Sequence, residues 1–487
     1  MSTRAPAAEP TVTLRPELAA RAEIDRSCRA PVLVFAGSAV FWLVAGSLMA
    51  LLAAIKMHTP GFLTSWEPLT FGRVRPVHLN MTIFGWASMA GIAVLLWLQA
   101  RLARARLPFP NLLVAGGVVW NVALAAGLVE ISIGHGTSVE WIEIPLFWAL
   151  GFAAVFAVVM AASLTMFGRR KVVHVYVSQW YLFGAVLWFP FLYLMANVLI
   201  HGGFTSGTTA AATNWWFAHN VLGLWLTPIG LATIYYLIPK VIGAPIHSYH
   251  LSILGFWSLA LFYNWAGTHH LIGGPLPAWL VTVGIVGSVM MFVPVVTVGI
   301  NHHMTMVGHF HRLKDSPTLR FVVFGGMSYT VVSVQGSLTS LRSINEVNHF
   351  THYTIAHAHL GVYAFFSMVM FGALYYMLPR LTGREWGSAR LIKLHFWASA
   401  LGIALYWGPL TIGGWVQGLH MNNPDLPFLS IVSGTIPYLW GRTAAGVLMT
   451  VGHCVFGWLV LGMLQPRHAT EQATQPSGVA QPGEVEA

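Results

Sequence analysis

Charge is what this sequence has least of. Asp, Glu, Lys and Arg together make 8% of its 487 residues, while 56% are hydrophobic; soluble domains carry about 25% charged residues. The shortage excludes a large soluble enzyme. Length alone suggests three domains, but long apolar runs repeat from residue 31 to residue 464, so one polytopic membrane domain is expected. Acidic residues are scarcer than basic ones, 15 against 25, which leaves a net charge of +10. The basic surplus sits in loops and does not point to nucleic acid. Cysteine occurs twice, at Cys28 and Cys454, too far apart for metal spacing and too few for a disulfide framework. Residues 1–30 are polar and lack a short apolar core, so no cleavable signal peptide is expected.

What is present is a series of twelve apolar runs of spanning length, roughly 31–56, 78–102, 111–133, 144–167, 176–201, 213–238, 249–268, 277–301, 318–341, 354–378, 389–415 and 435–464. They predict an all-α polytopic membrane domain over residues 31–465. Polar tails at 1–30 and 466–487 are expected to be disordered and cytoplasmic. Loop charge sets the orientation. Arg101, Arg104, Arg106, then Arg169, Arg170, Lys171, then Lys240, then Arg312, Lys314, Arg320, then Arg380, Arg384, Arg390 and Lys393 fall in the even-numbered loops. The odd-numbered loops are nearly free of Lys and Arg, which puts both termini in the cytoplasm.

No Asp or Glu falls well inside a span, and the nearest is Glu130. Histidines do. His78 opens span two, His219 lies early in span six, His269 and His270 follow span seven, and His357 and His359 open span ten. The predicted topology brings all six toward the same, non-cytoplasmic side. Polar groups at membrane depth are costly and mark function. Imidazole is the commonest metal ligand near neutral pH. Residues two apart on a helix point about 200° from each other, so His357 and His359 can serve two metal groups on opposite faces. His78 with one of them can clamp a haem, while the other holds a second haem from one side. His219, His269 and His270 then make a three-nitrogen site with an open position, suited to copper or iron.

Five segments carry a resemblance: Arg75-Pro-Val-His78-Leu-Asn, His219-Asn-Val-Leu-Gly, Tyr235-Tyr-Leu-Ile-Pro-Lys240, Tyr263-Asn-Trp-Ala-Gly-Thr-His269-His270 and His357-Ala-His359. Together they resemble the catalytic subunit I of haem–copper oxidases, most closely the cbb3-type (C-family) cytochrome c oxidases, over about residues 31–464. The resemblance implies the subunit I fold, with His78 and His359 on a low-spin haem b and His357 on a high-spin haem b3. It also implies His219, His269 and His270 on copper B. It makes Tyr263 a catalytic phenol, joined covalently to a copper-ligand histidine and able to supply the fourth electron for cleaving O2.

Nitric oxide reductases of the same superfamily share the six histidines but place iron in the three-histidine site and add glutamates. A Glu is expected there on the turn after the span-six histidine; here that turn reads Asn220-Val-Leu-Gly-Leu224. An all-nitrogen site suits copper. Tyr249, Ser252 and Tyr263 form a stripe on span seven that Thr227, Tyr235 and Tyr236 of span six could join. The stripe resembles the single proton pathway of the family. Two positions depart from the family pattern. Gly255 stands where a His is usual on span seven, and Gln335 aligns with a usual Glu on span nine. Both bear on proton delivery and pumping more than on oxygen chemistry.

Toward the outer side, Glu140 matches a family glutamate that binds a calcium ion bridging haem propionates, an oxygen-rich site that suits this cation. Glu143 is left between ligand and solvated loop charge. Arg75 and Arg442 can pair with propionates through their guanidinium forks, and His349 joins them by the same resemblance. No Cys-x-x-Cys-His motif occurs, so no c-type haem is bound covalently. Electrons are expected from membrane-anchored cytochrome c subunits in a hetero-oligomer within a bacterial cytoplasmic membrane. The rival readings are nitric oxide reductase, a non-catalytic haem subunit, and a secondary transporter. The last is disfavoured because no convincing internal repeat is read.

Overall fold

The computed structural model describes residues 14–465, and all twelve expected runs are helices in it. They are α1 (Leu14–His58), α2 (Phe71–Ala103), α3 (Pro110–Ile133), α4 (Leu146–Gly168), α5 (Val177–His201), α6 (Gly207–Ile242), α7 (Tyr249–Ala266), α8 (Ala278–Met306), α9 (Pro317–Thr339), α10 (His352–Thr382), α11 (Ala389–Met421) and α12 (Phe428–Leu464). Ten are long and apolar enough to cross a membrane; α7 and α11 are not among them. Helices suit the bilayer because every backbone polar group is satisfied within the segment.

Three helices form the centre. In α2, α6 and α10, 89% of the apolar stretch is buried, against 39–50% in the other seven candidate spans. His78, His219 and the His357–His359 pair sit in the first halves of these helices, and each helix has a basic residue in its last turn, Arg101, Lys240 and Arg380. Each also widens into a π-helical stretch just past its histidines: Met81–Ala87 after His78, Val221–Leu226 after His219, and Leu360–Ser367 after His357 and His359. Such widenings are rare and cluster at functional sites.

A repeat missed in the sequence appears at the far ends of α6 and α10. Tyr235-Tyr-Leu-Ile-Pro-Lys-Val-Ile-Gly243 matches Tyr375-Tyr-Met-Leu-Pro-Arg-Leu-Thr-Gly383. Both close on a left-handed glycine, φ +69° at Gly243 and +68° at Gly383, whose N–H bonds the carbonyl of the proline four residues back. Glycine takes this conformation without a Cβ clash.

The expected N-terminal tail is shorter than the sequence suggests. Residues 14–30 continue α1 rather than forming a disordered arm. Their charges are used in packing. Asp25 accepts from Trp97 Nε1 at 2.9 Å and from Arg101 at 3.1 Å, and Ser27 Oγ accepts from Leu107 N at 2.9 Å. These bonds fasten the start of α1 to the end of α2 and the loop after it. Residues 1–13 and the tail 466–487 lie outside the described residues.

Candidate functional site: a six-histidine cavity

One cavity of about 520 Å³ touches His78, His219, His269, His270, His357 and His359. Tyr263, Thr227, Arg75, Glu140, His349 and Arg442 also line it.

The His78 and His359 rings face each other, 6.5 Å between centroids and 15° from parallel. A metal bound at about 2 Å by one nitrogen of each ring would set the centroids roughly 6.4 Å apart, so the pair fits axial ligation of a flat macrocycle. Backbone carbonyls fix the tautomers. His78 Nδ1 donates to Gly46 O and His359 Nδ1 to Ile355 O, both at 2.9 Å. A carbonyl only accepts, so each Nδ1 carries the proton and each Nε2 keeps its lone pair. Tyr406 Oη lies 3.3 Å from His359 Nε2.

His357 leaves α10 on the other side. Gly336 makes room for it, because a Cβ there would lie 3.0 Å from His357 Cε1. His219, His269 and His270 bring one ligand atom each within 4.8 Å of one another. Their spacing and all-nitrogen chemistry fit one transition metal ion. Ser288 positions His269. Its hydroxyl donates to Gly284 O at 2.9 Å and accepts from His269 Nδ1 at 2.7 Å, which leaves His269 Nε2 free. The His270 ring stacks on Trp215, 4.1 Å between centroids, and His219 Nδ1 is buried without a protein partner.

Tyr263 lies over His219, with centroids 4.5 Å apart. It reaches that place because residue 223, one turn after His219, is glycine. A Cβ at Gly223 would fall 1.8 Å from Tyr263 Cε1. The turn that would carry a glutamate in a nitric oxide reductase is therefore filled by the phenol ring.

At the cavity mouth Arg75 and Glu140 form an ion pair with each other. Arg442 touches Met57 Sδ and sits over the Tyr406 ring, and its Nε has no partner. His349 stacks on Phe350, and Asn348, beside it in the lining, is fully buried with both amide atoms unpartnered. Unsatisfied buried donors of this kind suit carboxylates such as haem propionates. Glu143 is not a solvated loop charge. It is 4% exposed and accepts from Asn80 Nδ2 at 2.9 Å, and burial pushes its carboxyl up to about 7.

The expected proton-path residues divide. Thr227 lines the cavity, and Tyr235, about two turns further along α6, is buried. Tyr249 donates to Val175 O at 2.6 Å and Ser252 to Tyr249 O at 2.7 Å. Tyr236, by contrast, turns edge-on to Trp97 beside Arg101, away from α7. Gln335 faces α11, where it accepts from Trp407 Nε1 at 3.1 Å, and it does not line the cavity. Sequence reasoning missed Tyr329 and Ser333 on α9, one turn apart, which both line the cavity; only the way α9 packs brings them there.

Comparison with known proteins gives the family and the fold. A family model described as cytochrome c and quinol oxidase polypeptide I matches residues 30–448. The chain is 32% identical over 473 residues to a cytochrome c oxidase subunit 1 homolog of Azorhizobium caulinodans, covering 93% of this chain and 84% of that protein. It is 31% identical to the cbb3-type cytochrome c oxidase subunit CcoN1 of Stutzerimonas stutzeri, over 91% of this chain and 95% of that one. A nitric oxide reductase chain of Stutzerimonas stutzeri is 24% identical, over 86% of this chain and 90% of that one. A solved haem–copper terminal oxidase dimer shares the fold at a TM-score of 0.71 and 16% identity, over 92% of this chain and 85% of that one.

Proposed function

The chain belongs to the cytochrome c and quinol oxidase polypeptide I family, and within it we propose the catalytic subunit of a cbb3-type terminal oxidase that reduces O2 to water with electrons from cytochrome c. The family carries haem and copper. The finer assignment is haem b between His78 and His359, haem b3 on His357, and copper B on His219, His269 and His270. When bound, the b3 haem and copper supply electrons and open coordination positions for O2.

The chain's own residues do the rest. His269, held by Ser288, keeps one nitrogen aimed into the three-histidine site. Tyr263 holds a phenol proton and an oxidisable ring against His219. Thr227 offers a hydroxyl at the cavity from α6 and Tyr235 places its own near Asn301, while Ser252 and Tyr249 extend the polar stripe on α7. At the mouth, Arg75, Arg442 and His349 are suited to carboxylates. Calcium is assigned to Glu140, which places that cation where haem carboxylates could complete its oxygen ligands. Electron donors are membrane-anchored cytochrome c subunits of the same complex, in a bacterial cytoplasmic membrane. Proton consumption follows from the chemistry, and pumping is part of the proposal.

The observation that carries the oxygen reading over nitric oxide reduction is Gly223 under the Tyr263 ring. It leaves no place for a carboxylate side chain at position 223. The test is a metal and optical analysis of the purified complex together with oxygen uptake on reduced cytochrome c. Two b-type haems and one copper per catalytic chain, with one of these two haems binding carbon monoxide, are expected. Non-haem iron in place of copper, with nitric oxide consumed and oxygen untouched, would sink the assignment.

A further inference from the structure

A buried imidazole lies outside the metal site and takes no part in holding haem or copper. His302, on α8, is 8% exposed, and neither of its ring nitrogens has a protein partner. An unsatisfied buried polar atom is costly, so two on one ring call for an explanation. The surroundings are not apolar. The Tyr235 ring stands 4.5 Å away, at 62°, and the Tyr235 hydroxyl lies 3.5 Å from Asn301 Nδ2. Tyr181, stacked 5.9 Å from Tyr235, has an unpartnered hydroxyl as well. On the opposite side, a Cβ at Gly326 would approach His302 Nδ1 to 3.9 Å. Tyr329 stands three residues along from Gly326 and lines the metal cavity with Ser333.

These groups come from neighbouring helices, α5, α6, α8 and α9. Asn301 is bonded both ways to Ser248, at the start of α7, at 2.8 and 2.9 Å. Tyr235 is next to Asn301, His302 is next to Tyr235, and Tyr329 leads into the cavity. Position 255, where a histidine is usual in the family, is a glycine with side chains packed against it. A Cβ there would lie 2.9 Å from Val298 Cγ2 and 3.2 Å from Thr297 Oγ1.

We propose that His302 is a proton-relay residue, which takes the imidazole of the pathway from α7 to α8. A proton arriving from the Asn301–Tyr235 side, through water, binds one ring nitrogen. The proton on the other nitrogen leaves toward Tyr329 and the cavity. Rotation of the ring then turns its protonated nitrogen toward the cavity and its free nitrogen toward Tyr235, ready for the next proton. Water is the natural bridge, because it can donate to and accept from groups that do not touch one another.

The inference rests on the oxidase reading, and the test separates the two. His302→Gln keeps polarity and approximate size but cannot relay by protonation; His302→Leu removes the polar group. Both are made in the full complex. The expected result for His302→Gln is an unchanged two-haem spectrum and unchanged carbon monoxide binding, with oxygen turnover lowered about 100-fold. The solvent deuterium isotope effect should rise, and the low-spin haem should stay more reduced during turnover. Turnover within about twofold of the wild type, or a fall with isotope effect and haem reduction level unmoved, overturns the relay. If His302→Leu does not assemble, His302→Gln decides alone. A wild-type complex that takes up no oxygen would instead overturn the oxidase reading.

Discussion

The ring of Tyr263 on α7 lies over that of His219 on α6, 4.5 Å between centroids and 33° between planes. Of the three histidines in the metal cluster, His219 is the one whose neighbouring turn is cleared for the phenol. Gly223→Ala should therefore act on Tyr263. Its methyl would fall 1.8 Å from Tyr263 Cε1, so the ring must leave. A displacement of about 1 Å in a reacting group can lower rate about 100-fold. Oxygen turnover should fall by that order, while the low-spin haem spectrum is preserved. Full activity in Gly223→Ala would show that the ring's place is immaterial.

The same contact makes a chemical prediction. If Tyr263 is joined to a copper ligand, the partner is His219. Mass spectrometry of digested, oxidised enzyme should recover a peptide pair joined through these two residues. A link to His269 or His270 would contradict the ring placement, and two separate unmodified peptides would remove the link altogether.

Low-spin haem binding should depend on the facing pair alone. His78→Ala and His359→Ala each remove one nitrogen of a pair set 6.5 Å apart, and each should reduce the haem count from two to one. His357→Ala should do the reverse, keeping the low-spin spectrum and abolishing carbon monoxide binding. Reduced-minus-oxidised spectra and pyridine haemochrome counts read both outcomes. Loss of carbon monoxide binding in His78→Ala with the low-spin spectrum intact would exchange the two assignments.

Much of this arrangement is legible in the amino-acid sequence itself. Apolar runs predict helices well when lipid leaves no alternative, and a histidine inside such a run has few reasons to be there. What the sequence does not reveal is which way each side chain turns. Tyr235 and Tyr236 are adjacent and equally suited to a proton path. Packing sends the first toward Asn301 and the second toward Trp97. Gln335 aligns with an active-site carboxylate, yet its neighbour Gly336 is the one that lines the cavity. The N-terminal charges read as solvated because Asp25 and its partners Trp97 and Arg101 are more than seventy residues apart. The π-helical widenings have no compositional signal, and His302 and Tyr329 gain meaning only once α8 and α9 are in place.

Ser288 offers a test of the metal site that leaves every ligand intact. Its hydroxyl accepts the His269 Nδ1 proton at 2.7 Å. Ser288→Ala frees the ring to rotate and to change tautomer. Loss of such a supporting bond typically weakens metal binding about 10–100-fold. Copper should then be stripped from Ser288→Ala at chelator concentrations that leave the wild type loaded, with haem content unchanged. Equal copper retention in the two proteins would mean that the histidine is held by its backbone alone.

Glu143 makes the pH dependence of the fold testable. Burial is the main cause of its raised value, from 4.5 to about 7, against the opposing bond from Asn80. A carboxyl that holds its proton more tightly folded than unfolded stabilises the fold below about pH 4.5. That contribution is lost as pH rises through about 7. At about 1.4 kcal/mol per unit, the group can account for up to about 3 kcal/mol across this window. The thermal midpoint of the purified complex, measured with a calcium chelator present, should be lower at about pH 8 than at about pH 5. Glu143→Gln keeps an acceptor for Asn80 and removes the ionisation, so its midpoint should vary less over the same range. The chelator matters because a bound cation near Glu140 would favour the charged carboxylate and reverse the sign. A Glu143→Gln protein as sensitive to pH as the wild type would assign the dependence to another group.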